Sequence, residues 1–189
     1  PYKVLKMGRV KAGETVAVFG AGGGVGIHQL MMARWANTRV IAVDVAEEKK
    51  QACLDAGADE FINPEKVNTI EAILDLTDGE GADVAIDYVS ATATLEAAAG
   101  ALRRHGRMIT LGGAGAKFQV DSMEMLRKEQ DLLGSRYTTR ADIIATYELI
   151  AKREVWPIVT DIRPMEEADA IHDRVEKGEV IGRAAITMN

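Results

Sequence analysis

Short apolar runs alternate with longer segments of helix length through the first 111 residues of the chain. The apolar runs predict five strands, at residues 16–19, 39–44, 60–62, 83–88 and 107–111, and the segments between them predict helices at 25–35, 46–56, 69–76 and 92–104. Continuously apolar strands that alternate with helices are typical of βαβ units with a parallel sheet buried on both faces. With right-handed crossovers, the pattern predicts a Rossmann-like, doubly wound α/β fold with helices on both faces.

The pattern changes after residue 111. It predicts a short helix at 123–128, a last strand of the sheet at 132–137 and a helix at 141–153. A strand, a helix and a strand then follow at 158–162, 164–176 and 180–187.

Glycines fill the turn between the first strand and the first helix, where residues 16–26 read VAVFGAGGGVG. Such a turn needs glycine where φ is positive and where the backbone approaches a pyrophosphate, which the N–H groups and dipole of the following helix attract. The strict G-x-G-x-x-G spacing fails here, and the looser G-x-x-G-x-x-G fits Gly20, Gly23 and Gly26. A glycine loop alone also occurs as a plain βα turn.

An acidic residue strengthens the case for a dinucleotide. Asp44 ends the second apolar run 18 positions after Gly26, close to the spacing of about 20 for the carboxylate that holds the adenosine ribose. A carboxylate there accepts hydrogen bonds from both ribose hydroxyls and repels a 2′-phosphate, so NAD is favoured over NADP. The alternative is that Asp44 is only a helix N-cap.

Composition and charge exclude several other classes. Apolar residues make up 47% of the chain and charged residues 28%, which are values typical of a globular protein. No apolar run approaches the roughly 18 residues of a membrane span, and the net charge of −6 disfavours nucleic acid as a partner. The single cysteine, Cys53, excludes a disulfide or a thiolate zinc cluster within the chain and fits a cytoplasmic protein.

Several stretches resemble the cofactor-binding half of the medium-chain dehydrogenase/reductase family, which includes the zinc alcohol dehydrogenases. They include VKAGETVAVFGAGGGVGIHQL, AGADEFINP and KGEVIGRA. The resemblance implies an NAD(P)-binding domain at residues 1–157. It also implies that the strand–helix–strand segment at 158–189 would return to a catalytic domain that is not in this chain.

The resemblance also assigns residues to the cofactor. It implies a pyrophosphate turn in the glycine loop and a ribose site around Asp44. It also implies loops beside the adenosine ribose and the nicotinamide at the ends of the fourth and fifth strands. Lys49 matches a basic residue that contacts the same ribose, or it lies on a solvated helix face. The expected cofactor-binding residues are Gly20, Gly22, Gly23, Gly24, Val25, Gly26, Asp44, Val45, Lys49, Val89, Ser90, Leu111, Gly112, Gly113 and Tyr137.

The cysteines and the glycine–histidine–glutamate motif that hold the family's catalytic zinc do not occur in this sequence. No catalytic residue and no metal ligand are therefore assigned, and zinc is expected only in a full-length protein. The histidines at 28, 105 and 172 are not spaced to share a metal, and His28 is expected to be exposed on its helix.

Three functions stay open. The first is the NAD(H)-binding domain of an oxidoreductase that acts on an alcohol or carbonyl substrate, and this chain alone would then be inactive. The second is the cofactor domain of a zinc-free NADPH quinone or enoyl reductase, and the third is a stand-alone NAD(H)-sensing module. A homodimer through the edge strand at 132–137, or a tetramer, is expected.

Overall fold

The computed structural model describes residues 1–113 and 115–188. Asn189, the last residue of the segment expected at 158–189, lies outside the described residues. The described part contains two parallel sheets with helices packed around the larger one.

Six parallel strands form the central sheet in the order β3-β2-β1-β4-β5-β6. They are β1 (Thr15–Phe19), β2 (Arg39–Val43), β3 (Glu60–Ile62), β4 (Ala82–Asp87), β5 (Leu102–Thr110) and β6 (Asp131–Gly134). The chain runs outward from β1 to β3 and then returns to β4 on the other side of β1. This reversal leaves a crevice at the carboxyl ends of β1 and β4, where doubly wound folds bind ligands. The Rossmann-like prediction is confirmed.

Eight α-helices accompany the strands in the described residues. They are α1 (Tyr2–Met7), α2 (Gly26–Trp35), α3 (Lys50–Asp55), α4 (Thr69–Leu76), α5 (Thr92–Gly100), α6 (Ser122–Lys128), α7 (Arg140–Ala151) and α8 (Ala168–Glu176). Turns of 3₁₀ helix precede α3 and α8, at Glu47–Lys49 and Met165–Glu167. The second sheet pairs β7 (Val159–Pro164) with β8 (Arg183–Thr187) in parallel.

Both faces of the central sheet are buried, as the continuously apolar strands predict. In β1, Val16 and Val18 pack into one core with Leu30 of α2. Ala17 and Phe19 point the other way, into a second core that includes helices α4 and α5. The alternation along a single strand therefore joins two helical layers to one sheet.

Several predicted boundaries are wrong, among them those of α5, β5 and β6. The helix predicted to reach residue 104 ends at Gly100, and β5 begins at Leu102. Leu102 pairs with Ala82 and Arg107 with Val84, so the residues between them form a bulge that no helix or strand period reveals. The last strand predicted at 132–137 ends at Gly134, where its pairing with β5 ends. Tyr137 is excluded from a strand because its backbone is left-handed, with φ +54°.

Helix α1 is tied to the start of α7 by a charge pair. Lys6 Nζ lies 2.6 Å from Asp142 Oδ1, and the Asp142 side chain is only 4% exposed. Asp142 also forms a capping box with Thr139 at the start of α7. The hydrogen bonds from Lys6 first, and then from Thr139, lower the pKa of Asp142 to about 2.

We expect Asp142→Asn to lower the Tm at pH 7, because Lys6 loses its anionic partner. The folded-state pKa lies below the ordinary value of 3.8, so this stabilisation is complete above about pH 4 and is lost as the pH falls towards 2. Thermal unfolding should therefore show a difference in Tm between the native chain and the variant that is smaller at pH 3 than at pH 7. Asp55→Asn, at an exposed carboxylate bonded to Gln51, is the control. A difference in Tm that does not change with pH would contradict the role of the Asp142 charge.

Candidate functional site

The glycine loop lies at the carboxyl end of β1 and leads directly into α2. The N–H groups of Gly20 and Ala21 both donate to Val43 O, which fastens the loop to the end of β2. In the described part of the chain, the N–H groups of Gly24 and Val25 donate to no acceptor. Free N–H groups at the amino end of a helix form an anion site, since the helix dipole adds its positive end there.

The glycines of the loop have different neighbours. A Cβ on Gly26 would collide with the carbonyl oxygen of Gly20, so Gly26 allows the loop to fold back on itself. Gly20 needs its freedom for a φ of +71°. A Cβ on Gly23 would meet only Gly20 O, at 3.3 Å. Gly23 therefore leaves the loop open on one side, as a cradle for a closely approaching ligand requires.

Asp44 follows β2 and joins two loops at this edge. Its Oδ2 accepts from Gly22 N at 2.8 Å and its Oδ1 from Ala46 N at 3.0 Å. The following 3₁₀ turn has Ala46 at its N-cap and no side-chain cap, so the N-cap alternative for Asp44 is wrong. The carboxylate instead holds the glycine loop against the loop that follows β2, where Val45 is exposed.

Lys49 is buried beside the glycine loop, with only 6% of the residue exposed. A Cβ on Gly22 would lie 2.6 Å from Lys49 Cδ, so the lysine stem packs directly on that glycine. No carboxylate lies within 4.0 Å of its ammonium among the described residues. The solvated-face alternative for Lys49 is therefore wrong, and its contact with a ribose stays a prediction.

The loops after β4 and β5 touch each other at the same edge of the sheet. Asp87 ends β4 fully buried, and its carboxylate accepts from Val89 N and Ser90 N at 3.0 and 2.9 Å. Burial raises the pKa of Asp87. A Cβ on Gly112 would lie 2.6 Å from Ser90 N, so glycine is required for this contact. These loops line a cleft of about 810 Å³ that also includes Leu111, Gly113 and Tyr137.

Tyr137 stands between two clefts. It is 80% exposed, and its ring stacks with the Arg136 guanidinium at 4.6 Å from the ring centroid. Lys3 of α1 donates to the carbonyl oxygens of Arg136 and Tyr137, at 2.8 and 3.4 Å. On its other side Tyr137 lines a cleft of about 630 Å³ together with Leu111 and Arg183.

Arg183 is a candidate site residue that the sequence did not single out. Its guanidinium carbon would lie 3.2 Å from a Cβ on Gly24, so the charge sits beside the glycine loop. Within residues 1–113 and 115–188, no carboxylate lies within 4.0 Å of this guanidinium. The only signal in the sequence was the stretch KGEVIGRA, which gives no hint that residue 183 returns to residue 24.

His28 was expected to be exposed, and this prediction is wrong. The ring is half-buried, and both of its nitrogens are engaged by backbone groups of Gly24 and Ile158. The sequence could not reveal this arrangement because Ile158 is 130 positions away.

The described residues contain no converging group of three or more His, Cys, Asp or Glu side chains that could hold a metal ion. Cys53 is buried, and desolvation raises its pKa to about 12, so its thiol is not a nucleophile at neutral pH. Among the helices described, none is long and apolar enough to cross a membrane. The chemistry that these residues support is dinucleotide binding.

Comparisons with known proteins identify the family. The family model described as zinc-binding dehydrogenase matches residues 24–152. An alcohol dehydrogenase of Geobacillus stearothermophilus is 31% identical over 187 residues, which are 99% of this chain and 54% of that protein. An NAD-dependent alcohol dehydrogenase of Sulfurisphaera tokodaii is 29% identical, over 98% of this chain and 54% of that protein.

A comparison with solved structures supports the same family. The alcohol dehydrogenase of Aeropyrum pernix superposes with a TM-score of 0.88 at 31% identity, over 97% of this chain and 53% of that one. The chain thus spans about half the length of the relatives that it matches. It belongs to the zinc-binding dehydrogenase family and corresponds to the cofactor-binding half of the medium-chain alcohol dehydrogenases.

Proposed function

We propose that this chain is the NAD(H)-binding part of an oxidoreductase that transfers a hydride between a nicotinamide and an alcohol or carbonyl carbon. The observation that carries the choice of NAD is the Asp44 carboxylate, which is fixed by Gly22 N–H at the edge of the crevice. Two relatives, from Sulfurisphaera tokodaii and Saccharolobus solfataricus, are both named NAD-dependent alcohol dehydrogenases, which supports the same cofactor. A 2′-phosphate would meet a negative charge at Asp44, which disfavours the NADPH-linked alternative.

The residues present fit a dinucleotide along the whole edge. The free N–H groups of Gly24 and Val25, with the Arg183 guanidinium, would hold the pyrophosphate. Asp44 would accept from the adenosine ribose, with Lys49 and Val45 beside it. The nicotinamide half would lie in the cleft of about 810 Å³, against residues that include Ser90, Leu111, Gly112, Gly113 and Tyr137. Val89 would lie beside Gly20, where its side chain packs on the glycine loop.

When bound, the nicotinamide supplies the hydride chemistry, and the protein supplies its orientation. Hydride transfer to a carbonyl also needs an electrophile on the carbonyl oxygen. We propose that a zinc site outside this chain provides it and that residues 158–189 connect to that part. The 189-residue chain alone should therefore bind cofactor without turning over alcohols, and steady alcohol-dependent NADH formation by it would contradict this proposal.

The edge of the sheet suggests a homodimer. Strand β6 is the last strand of the sheet and pairs only with β5 among the described strands. Unpaired backbone groups along an edge strand are a natural pairing site for a second copy. We propose that two copies associate along β6, and sedimentation that shows only monomer at tens of micromolar would contradict it.

The glycine loop offers a direct test of cofactor binding. Gly23→Val should lower the affinity for NAD⁺ by about 100-fold or more, the equivalent of one or two hydrogen bonds to a charged group. The fold should persist, because a Cβ on Gly23 meets only Gly20 O. Calorimetric titration measures the affinity and circular dichroism the fold. Ala12→Val, in the exposed turn before β1, is the control. Unchanged affinity in a folded Gly23→Val variant would mean that the loop is only a turn.

A further inference from the structure

The His28 ring bridges the glycine loop and the segment that enters β7. Its Nδ1 lies 2.8 Å from Gly24 O, and its Nε2 lies 2.9 Å from Ile158 N. A carbonyl oxygen can only accept and a backbone N–H can only donate. The ring must therefore be neutral, with its proton on Nδ1 and a lone pair on Nε2.

Ile158 carries the connection onward to Arg183. Its carbonyl oxygen accepts from Arg183 N at 2.9 Å, so one residue bonds His28 through its N–H and Arg183 through its C=O. Gly182 lies tightly against Ile158, since a Cβ there would be 2.6 Å from Ile158 O. The Arg183 guanidinium lies beside Gly24, so the chain of contacts that begins at Gly24 and His28 returns to the glycine loop.

We propose that His28 is a positioning residue for anion binding: its neutral ring holds Ile158, and through Ile158 it holds Arg183 against the glycine loop. Protonation places an N–H on Nε2, opposite the N–H of Ile158, and breaks the connection. The inference rests on the proposed binding of a pyrophosphate at this loop. It adds a residue that does not touch the ligand and makes the affinity depend on pH.

The surroundings of the ring favour the neutral form. Burial lowers the pKa of His28, and the nearby positive charge of Arg183 lowers it further, while the bond to Gly24 O raises it. The bridge is therefore formed at neutral pH, and it opens as the pH falls through the lowered pKa of the ring.

The sign of the pH effect separates this role from direct binding. A histidine that contacted the phosphates would bind them more tightly when protonated, so the affinity would rise in acid. A positioning histidine gives the opposite result, because protonation releases Ile158 and Arg183. Calorimetric titration of the 189-residue chain with NAD⁺ between pH 8 and pH 4.5 distinguishes the two.

We expect the affinity of the native chain to fall several-fold, up to about tenfold, across this range, as the loss of one hydrogen bond predicts. In His28→Gln the affinity should vary much less with pH. His172→Gln, at an exposed histidine of α8, should keep the native profile. An affinity that rises in acid, or the same profile in native chain and His28→Gln, would overturn the proposal.

A second measurement needs neither the variant nor the cofactor. In NMR spectra of the native chain, the Ile158 amide should shift with the same midpoint as the His28 ring protons. An Ile158 amide that does not respond to the titration of the ring would overturn the proposal. If NAD⁺ fails to bind at any pH while this amide titrates with the ring, the bridge exists and the proposed cofactor function is wrong.

Discussion

Gly26→Ala is expected to destabilise the fold and to abolish cofactor binding together. The added methyl group would collide with the carbonyl oxygen of Gly20 and would lie 2.8 Å from Ala21 Cα. These neighbours are backbone atoms, so no side-chain rotation relieves the contact. The chain must open the turn between β1 and α2, and the N–H groups of Gly24 and Val25 would then no longer converge.

The expected loss of stability is about 3 kcal/mol, at the upper end of the usual cost of overpacking. For a chain of this length it corresponds to a decrease in Tm of about 6–12 °C. Thermal unfolding followed by circular dichroism measures it, and titration with NAD⁺ measures the binding. Gly23→Ala is the matched control, since its Cβ would meet only Gly20 O at 3.3 Å and should change the Tm little. A Gly26→Ala variant with native Tm and affinity would show that the turn can shift at no cost.

This difference between Gly23 and Gly26 also shows how much of the glycine loop could be predicted from the sequence. The spacing identified Gly20, Gly23 and Gly26 as a set but could not distinguish their roles. The spacing shows at which positions glycines occur. Why glycine is needed at each position depends on which atoms of the folded chain lie next to it. Gly26 is needed for the internal packing of the loop, and Gly23 leaves one side of it open.

Elements fixed by local signals were predicted closely. The helix at 69–76 has the predicted bounds, because Asn68 caps its first turn by accepting from Ile70 N and Glu71 N. The strand at 60–62 also matches β3. Both are set by residues within a few positions, which is the range over which a hydrophobic or capping pattern carries information.

Features that depend on distant contacts were missed. The early start of β5 depends on its pairing with β4, and the neutral ring of His28 depends on Ile158. The burial of Lys49 depends on Gly22, which lies in another loop. In each case the sequence supplied the residue type, and tertiary packing decided what that residue does.

The choice between NAD(H) and NADP(H) is expected to depend on the charge of one side chain. The native chain should bind NAD⁺ about 100-fold or more tightly than NADP⁺, since like charges brought together at an interface cost several kcal/mol. The Asp44 carboxylate cannot turn away at no cost, because that would leave the N–H groups of Gly22 and Ala46 without their acceptor. The carboxylate therefore stays in the position where it would repel a 2′-phosphate.

Asp44→Asn is the variant that isolates this charge. An amide oxygen can still accept from Gly22 N, so the glycine loop keeps that bond, whereas Asp44→Ala would remove both bonds and disturb the loop as well. We expect the preference for NAD⁺ to fall to about tenfold or less, mainly through tighter binding of NADP⁺. Asp59→Asn makes the same charge change at a carboxylate bonded to Val40 N and Arg34, away from the glycine loop, and should leave the preference unchanged. Calorimetric titration of each protein with both cofactors at fixed ionic strength measures the ratio. Equal or tighter binding of NADP⁺ by the native chain, or an undiminished preference in Asp44→Asn, would show that another group selects the cofactor.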